Sequence, residues 1–70
     1  MAYGETSLQH AERHVREGEK RIAQQRGLVQ GLARDGQSTR LAVTILTEHR
    51  AALRQVRDHL ARVRRTSGTR

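Results

Sequence analysis

Leu32-Ala33-Arg34-Asp35-Gly36-Gln37-Ser38-Thr39-Arg40-Leu41-Ala42 is the stretch that decides the fold. Arg34 suits the negative end of a helix dipole, and Gly36 can take the left-handed conformation that ends a helix. Two residues later, Ser38 or Thr39 offers the hydroxyl of an N-cap. The stretch is a helix stop followed at once by a helix start.

Working outward, each side carries a ladder of rungs that steps alternately by three and by four. On the N-terminal side it is Leu8, Ala11, Val15, Gly18, Ile22, Gln25, Val29, Leu32. On the C-terminal side it is Ala42, Leu46, His49, Leu53, Val56, Leu60, Val63. Such a spacing averages about 3.5 residues, the repeat of a helix packed lengthwise on another helix. Thr6 and Gln9 fit a capping box, which places the first helix at about 7–34. Glu5 and Glu12 put negative charge near its positive end. The second helix is expected over about 39–65, where the apolar pattern stops and arginines gather. Each would be about 40 Å long. A link this short makes the two helices antiparallel neighbours. The fold class is therefore all-α: one helical-hairpin domain over 1–70, with frayed tails at 1–5 and 66–70.

Seventy residues allow one small domain, whose core rarely supplies more than about 3–5 kcal/mol. There is no cysteine to staple it. Self-association into a homodimeric four-helix bundle is the expected remedy. No apolar run reaches the roughly 20 residues of a membrane span, and the N-terminus lacks a secretory signal. A cytoplasmic protein with no membrane contact is expected. The near absence of aromatics and the many charges resemble a disordered composition, but the apolar residues are periodic and proline is absent.

The register follows from the turn. Leu32 and Ala42 flank it, so Val29 falls opposite Leu46, Ile22 opposite Leu53, Val15 opposite Leu60 and Ala11 opposite Val63. Gly18 then faces Val56, either for close approach or as a flexible point; a mid-helix glycine costs about 1 kcal/mol relative to alanine. Along one edge Glu12 nears Arg64 and Glu19 nears Arg57. Along the other Leu28 nears Ile45 and Arg21 nears Ala52, so apolar groups spill onto that edge and invite a second copy.

Gln25 falls opposite His49 within the apolar seam. A polar pair there can fix the alignment of the helices, or, if the imidazole must charge, act as a pH-sensitive joint. His10 and His14 lie one helical turn apart and His59 falls beside His14, a weak metal-site candidate lacking the glutamate of a zincin motif. Ser7, Ser38 and Ser67 sit at helix ends or in the tail, where capping explains them. Asp58 and His59 are neighbours whose side chains diverge by about 100° on a helix. The glycines form no phosphate-cradling loop, and two helices build no water-excluding cleft. No catalytic constellation, cofactor or metal is expected, so the chain does not read as an enzyme.

Charge gives the functional signal. The net charge is +7, and the basic residues are thirteen arginines and Lys20. Residues 1–36 hold six basic and five acidic side chains; residues 37–70 hold eight and two. Arg50, Arg54 and Arg57 share a face, and Arg62, Arg64, Arg65 and Arg70 add a basic end. The candidate partner-binding residues are Arg50, Arg54, Arg57, Arg62, Arg64 and Arg65. An arginine fork grips carboxylate or phosphate bidentately. The same residues also read as a solvated face in an arginine-rich composition. An acidic partner, protein or nucleic acid, is expected to meet the basic second helix; the alternative role is a binder of RNA or DNA backbone, without sequence preference because no aromatic stands ready for stacking.

The run His14-Val15-Arg16-Glu17-Gly18-Glu19, Ile22-Ala23-Gln24-Gln25, Leu28-Val29, Leu32 and Gly36, with His59-Leu60-Ala61-Arg62 closing the second helix, resembles a group of short uncharacterised bacterial helical-hairpin proteins. The resemblance spans most of 8–65. It implies a small cytoplasmic hairpin and carries no assigned site residue.

Overall fold

A computed structural model describes residues 6–68, with side chains described through Thr66. The expected tail at 1–5, with Glu5, and residues 69–70 lie outside the described residues. The described chain is an antiparallel hairpin of two helices, α1 (Ser7–Arg34) and α2 (Arg40–Gly68).

Local chemistry sets the ends of α1. The Gln9 backbone N–H donates to Thr6 Oγ1 at 3.0 Å, and the Thr6 N–H donates to Gln9 Oε1 at 3.0 Å, completing the capping box. At the other end Gly36 has φ +75°, the one positive φ among the described residues. Its N–H donates to the Ala33 carbonyl at 3.1 Å, and the Gln37 N–H reaches the Leu32 carbonyl at 2.9 Å. This paired closure is the Schellman arrangement, and it satisfies carbonyls that a helix end would leave orphaned. The first bond of α2 runs from Val43 N–H to the Thr39 carbonyl at 2.8 Å, while Ser38 Oγ accepts from Arg40 N–H at a long 3.4 Å. Thr39 thus holds the capping backbone position and Ser38 supplies the hydroxyl.

Helix α2 continues three residues past the expected stop at 65. Thr66 Oγ1 bonds back to the Arg62 carbonyl at 3.1 Å, as Thr44 and Thr47 do to Arg40 and Val43. Thr66 is thus accommodated inside the helix with its hydroxyl satisfied on the preceding turn.

The core is thin and one-sided. Its buried apolar residues are Ala11 from α1 and Ala42, Leu46, Leu53 and Leu60 from α2. Leucines from α2 press into the shallower surface of α1, where Val15, Ile22 and Val29 stay part-exposed. No large side chain is fully buried among the described residues.

The contact with Leu53 corrects the expected pairing of Gly18. A Cβ built on Gly18 would lie 2.9 Å from Leu53 Cδ1, so the glycine's tight neighbour is Leu53, one turn from Val56. A leucine knob fills the gap between two rungs rather than meeting one, and Leu53 therefore touches the ground of both Gly18 and Ile22. Of the two readings of Gly18, this geometry supports close approach.

Candidate anion-binding surface

The ion pairs on one edge of the seam define a repeating frame. Glu12 meets Arg64 with 3.8 Å between Oε2 and a guanidinium nitrogen, and Glu19 meets Arg57 at 3.1 Å. These pairs are one heptad apart: seven residues forward on α1 and seven back on α2. One further step places Arg26 against Arg50. The third rung of the frame thus carries two cations where the others join opposite charges. All four side chains of the first two pairs are substantially exposed, so each pair contributes only about 0–1 kcal/mol.

A groove of about 570 Å³ runs along this edge. Ile22 and Leu53 of the seam form its floor, with Ala23 and Arg26 of α1 on one side and Arg50 and Arg54 of α2 on the other. Glu19, Arg57 and Asp58 close one end. No carboxylate among the described residues lies within 4 Å of the Arg26, Arg50 or Arg54 guanidinium. The groove therefore offers three unengaged forks above an apolar strip.

The arginines nominated from the sequence divide into three groups. Arg50, Arg54 and Arg57 line the groove, as their shared spacing required. Arg57 and Arg64 are held by glutamates of α1. Arg62 and Arg65 are exposed outside the groove. Arg26 was missed because attention to charge runs fixes on α2. Its signal was present: Glu19, Ala23 and Arg26 recur by four and three, so they share the flank that faces Arg57.

Gln25 and His49 do not make the expected buried register pair. Gln25 Nε2 donates instead to the Ala42 carbonyl at 2.8 Å, and both side chains are part-exposed. The long glutamine arm reaches the second lone pair of a helix carbonyl across the seam. His49 opens onto a recess shared with His14, Glu17 and Arg21.

Of the other histidines, His10 and His14 come together on α1 as expected, whereas His59 does not join His14. The His10 and His14 rings lie 4.2 Å apart between centroids, tilted by 49°. His59 opens onto a recess with His10, Thr6 and Ser7 rather than with His14. No group of three His, Cys, Asp or Glu side chains among the described residues converges as a metal site. Arg13 joins this region to α1: it donates to Glu17 Oε2 at 2.8 Å and approaches His10 Nδ1 at 3.1 Å. The hydrogen bond from Arg13 holds the Glu17 carboxyl below its usual range. Glu12, placed by the sequence near the helix N-terminus, lies beyond the first turn and serves Arg64 instead.

On the opposite edge Leu28 is 50% exposed and Leu41 72% exposed. At about 100° per residue, Leu41 and Arg50 fall on opposite sides of the buried Ala42–Leu46 stripe. The hairpin therefore has one ionic edge and one edge with bare leucines.

The chain matches no family model, no curated protein and no solved structure. Among the described residues no helix is long and apolar enough to cross a membrane. Chemically, this surface sets cationic donors beside apolar area.

Proposed function

We propose that this chain is a small, non-enzymatic interaction protein of the cytoplasm. In this reading two copies pair into a four-helix bundle, and the basic second helix of each meets an acidic partner. The observation that carries the reading is the pattern of ion pairing. The glutamates of α1 engage Arg57 and Arg64, while Arg50, Arg54 and Arg62 have no carboxylate within 4 Å among the described residues. Guanidinium groups held ready on a helical face are suited to carboxylates or phosphates of another molecule. The thin core and the exposed Leu28 and Leu41 support self-association. A cysteine-free chain fits a reducing compartment.

Light scattering at several concentrations tests the pairing: a mass of two chains is expected, and a monomer throughout would refute it. Titration with an acidic peptide tests the partner class; no binding at low salt would remove it. The second reading, a binder of nucleic-acid backbones, is favoured by the shared face of Arg50, Arg54 and Arg57. It predicts retention of random duplexes that weakens steeply with salt and ignores sequence.

A further inference from the structure

We infer that the Arg26–Arg50–Arg54 groove is the seat for one acidic amphipathic helix of another protein, which lies between α1 and α2 as a third helix. This rests on the reading of α2 as the partner-facing helix and deepens it by naming the seat and the shape of the ligand.

Three observations converge. First, the heptad frame that pairs Glu12 with Arg64 and Glu19 with Arg57 sets Arg26 against Arg50 at its next rung. Facing like charges destabilise a seam, and an incoming carboxylate placed between them reverses that effect. Second, Arg50 and Arg54 stand one turn apart on α2, the spacing of two acidic residues at i and i+4 on an opposing helix. Third, the floor is apolar: part-exposed Ile22 and buried Leu53 line the groove at the seam between the arginines. A helix with carboxylates on its flanks and one aliphatic side chain on its inner face satisfies all three. Its location also keeps it clear of the Leu28 and Leu41 edge that a second copy would cover.

A nucleic-acid strand fits the groove less well. Glu19 and Asp58 line the same channel beyond the arginines. A phosphate backbone running along it would meet two carboxylates, whereas a helix with a few acidic residues places its charge over the arginines alone. The apolar floor also gives a phosphate chain nothing to bind.

The test uses the full chain and a labelled synthetic peptide, helix-stabilised, with glutamates four residues apart beside a single leucine. Fluorescence anisotropy reads the affinity, and circular dichroism reads the melting temperature of each variant. Arg26→Glu is expected to weaken peptide binding about tenfold, the loss of one charge-assisted hydrogen bond. The same variant extends the internal frame by pairing with Arg50, so its melting temperature is expected to stay level or rise. Arg54→Glu is expected to weaken binding similarly, and Arg62→Glu, outside the groove, to change it by about twofold at most. Replacing the peptide leucine with alanine is expected to weaken binding to the parent.

Arg26→Glu with unchanged affinity overturns the groove, as does an Arg62→Glu loss equal to that of Arg26→Glu; in both cases an acidic partner of α2 still stands. A random RNA duplex that displaces the peptide and is itself insensitive to Arg26→Glu also overturns it. Absence of peptide binding at low salt removes the seat and the acidic-partner reading together.

Discussion

Gly18 packs directly beneath Leu53 of α2, and replacing it tests the packing there. An alanine Cβ would stand 2.9 Å from Leu53 Cδ1 and 3.7 Å from Leu53 Cβ and Cγ. The first distance is too short to persist, so Leu53 must rotate or the helices must part. Leu53 is buried, which limits its choice of rotamer. Overpacking of this kind costs about 1–3 kcal/mol. Alanine in mid-helix returns about 0.5–1 kcal/mol relative to glycine. The net expectation for Gly18→Ala is a loss of about 1 kcal/mol. Gly27 supplies the control, because a Cβ there meets nothing within 4 Å. Gly27→Ala is expected to gain the helix term alone, about 0.5–1 kcal/mol. The two alanine variants should therefore differ by roughly 1–3 kcal/mol, or several degrees in melting temperature for a domain of this size. Urea unfolding followed by circular dichroism measures this, at equal protein concentration because association adds to apparent stability. Leu53→Val provides the coupling: shortening that side chain is expected to cost less in the Gly18→Ala background than in the parent. If Gly18→Ala were as stable as Gly27→Ala, the claim that buried Leu53 has no room to yield to a Cβ at this position would be refuted.

Three further outcomes follow from the helix ends and from Arg13. Gly36→Ala puts a Cβ at φ +75° and is expected to cost about 1–2 kcal/mol; an unchanged urea midpoint would show that the turn does not require the left-handed conformation. Thr6→Ala removes the capping hydroxyl and is expected to cost about 1 kcal/mol, with amide exchange rising first in the opening turn of α1; uniform exchange along α1 would contradict a local cap. Arg13 depresses the folded pKa of Glu17, so its stabilisation is present above the ordinary carboxylate range and is lost as pH falls through the folded value. Helicity between pH 2 and 6 should therefore fall less steeply in Arg13→Gln than in the parent, and superimposable curves would show that the pair does not contribute.

Much of the hairpin was readable before any coordinates. Thr6 with Gln9 and Gly36 with Gln37 act through near neighbours in the chain, so their geometry is written in a few adjacent residues. The edge pairs Glu12–Arg64 and Glu19–Arg57 were readable too, because charge and heptad spacing coincide there. Details within the seam were not. Leu53 settles over Gly18 because knobs interleave, which a one-to-one list of facing rungs does not represent. Gln25 bonds to the Ala42 carbonyl across the seam, and backbone acceptors leave no mark in the sequence. Helix α2 outruns Val63, with the Thr66 hydroxyl satisfied on its own helix. In the candidate site, the α2 arginines stood out as a run, whereas Arg26 lay alone on the other helix and gained meaning only across the groove.

The tight reversal at Gly36 also bears on how the chain assembles. Near the turn, the bond from Gln25 to Ala42 closes over 17 positions, whereas Arg57 and Glu19 are 38 apart. The entropy lost in closing a loop grows with its length, so the contacts beside the reversal form with the smallest loss. Loop entropy alone therefore favours closure from the turn outward, and sets the largest closing loss on the pair of Glu12 and Arg64 at the open end.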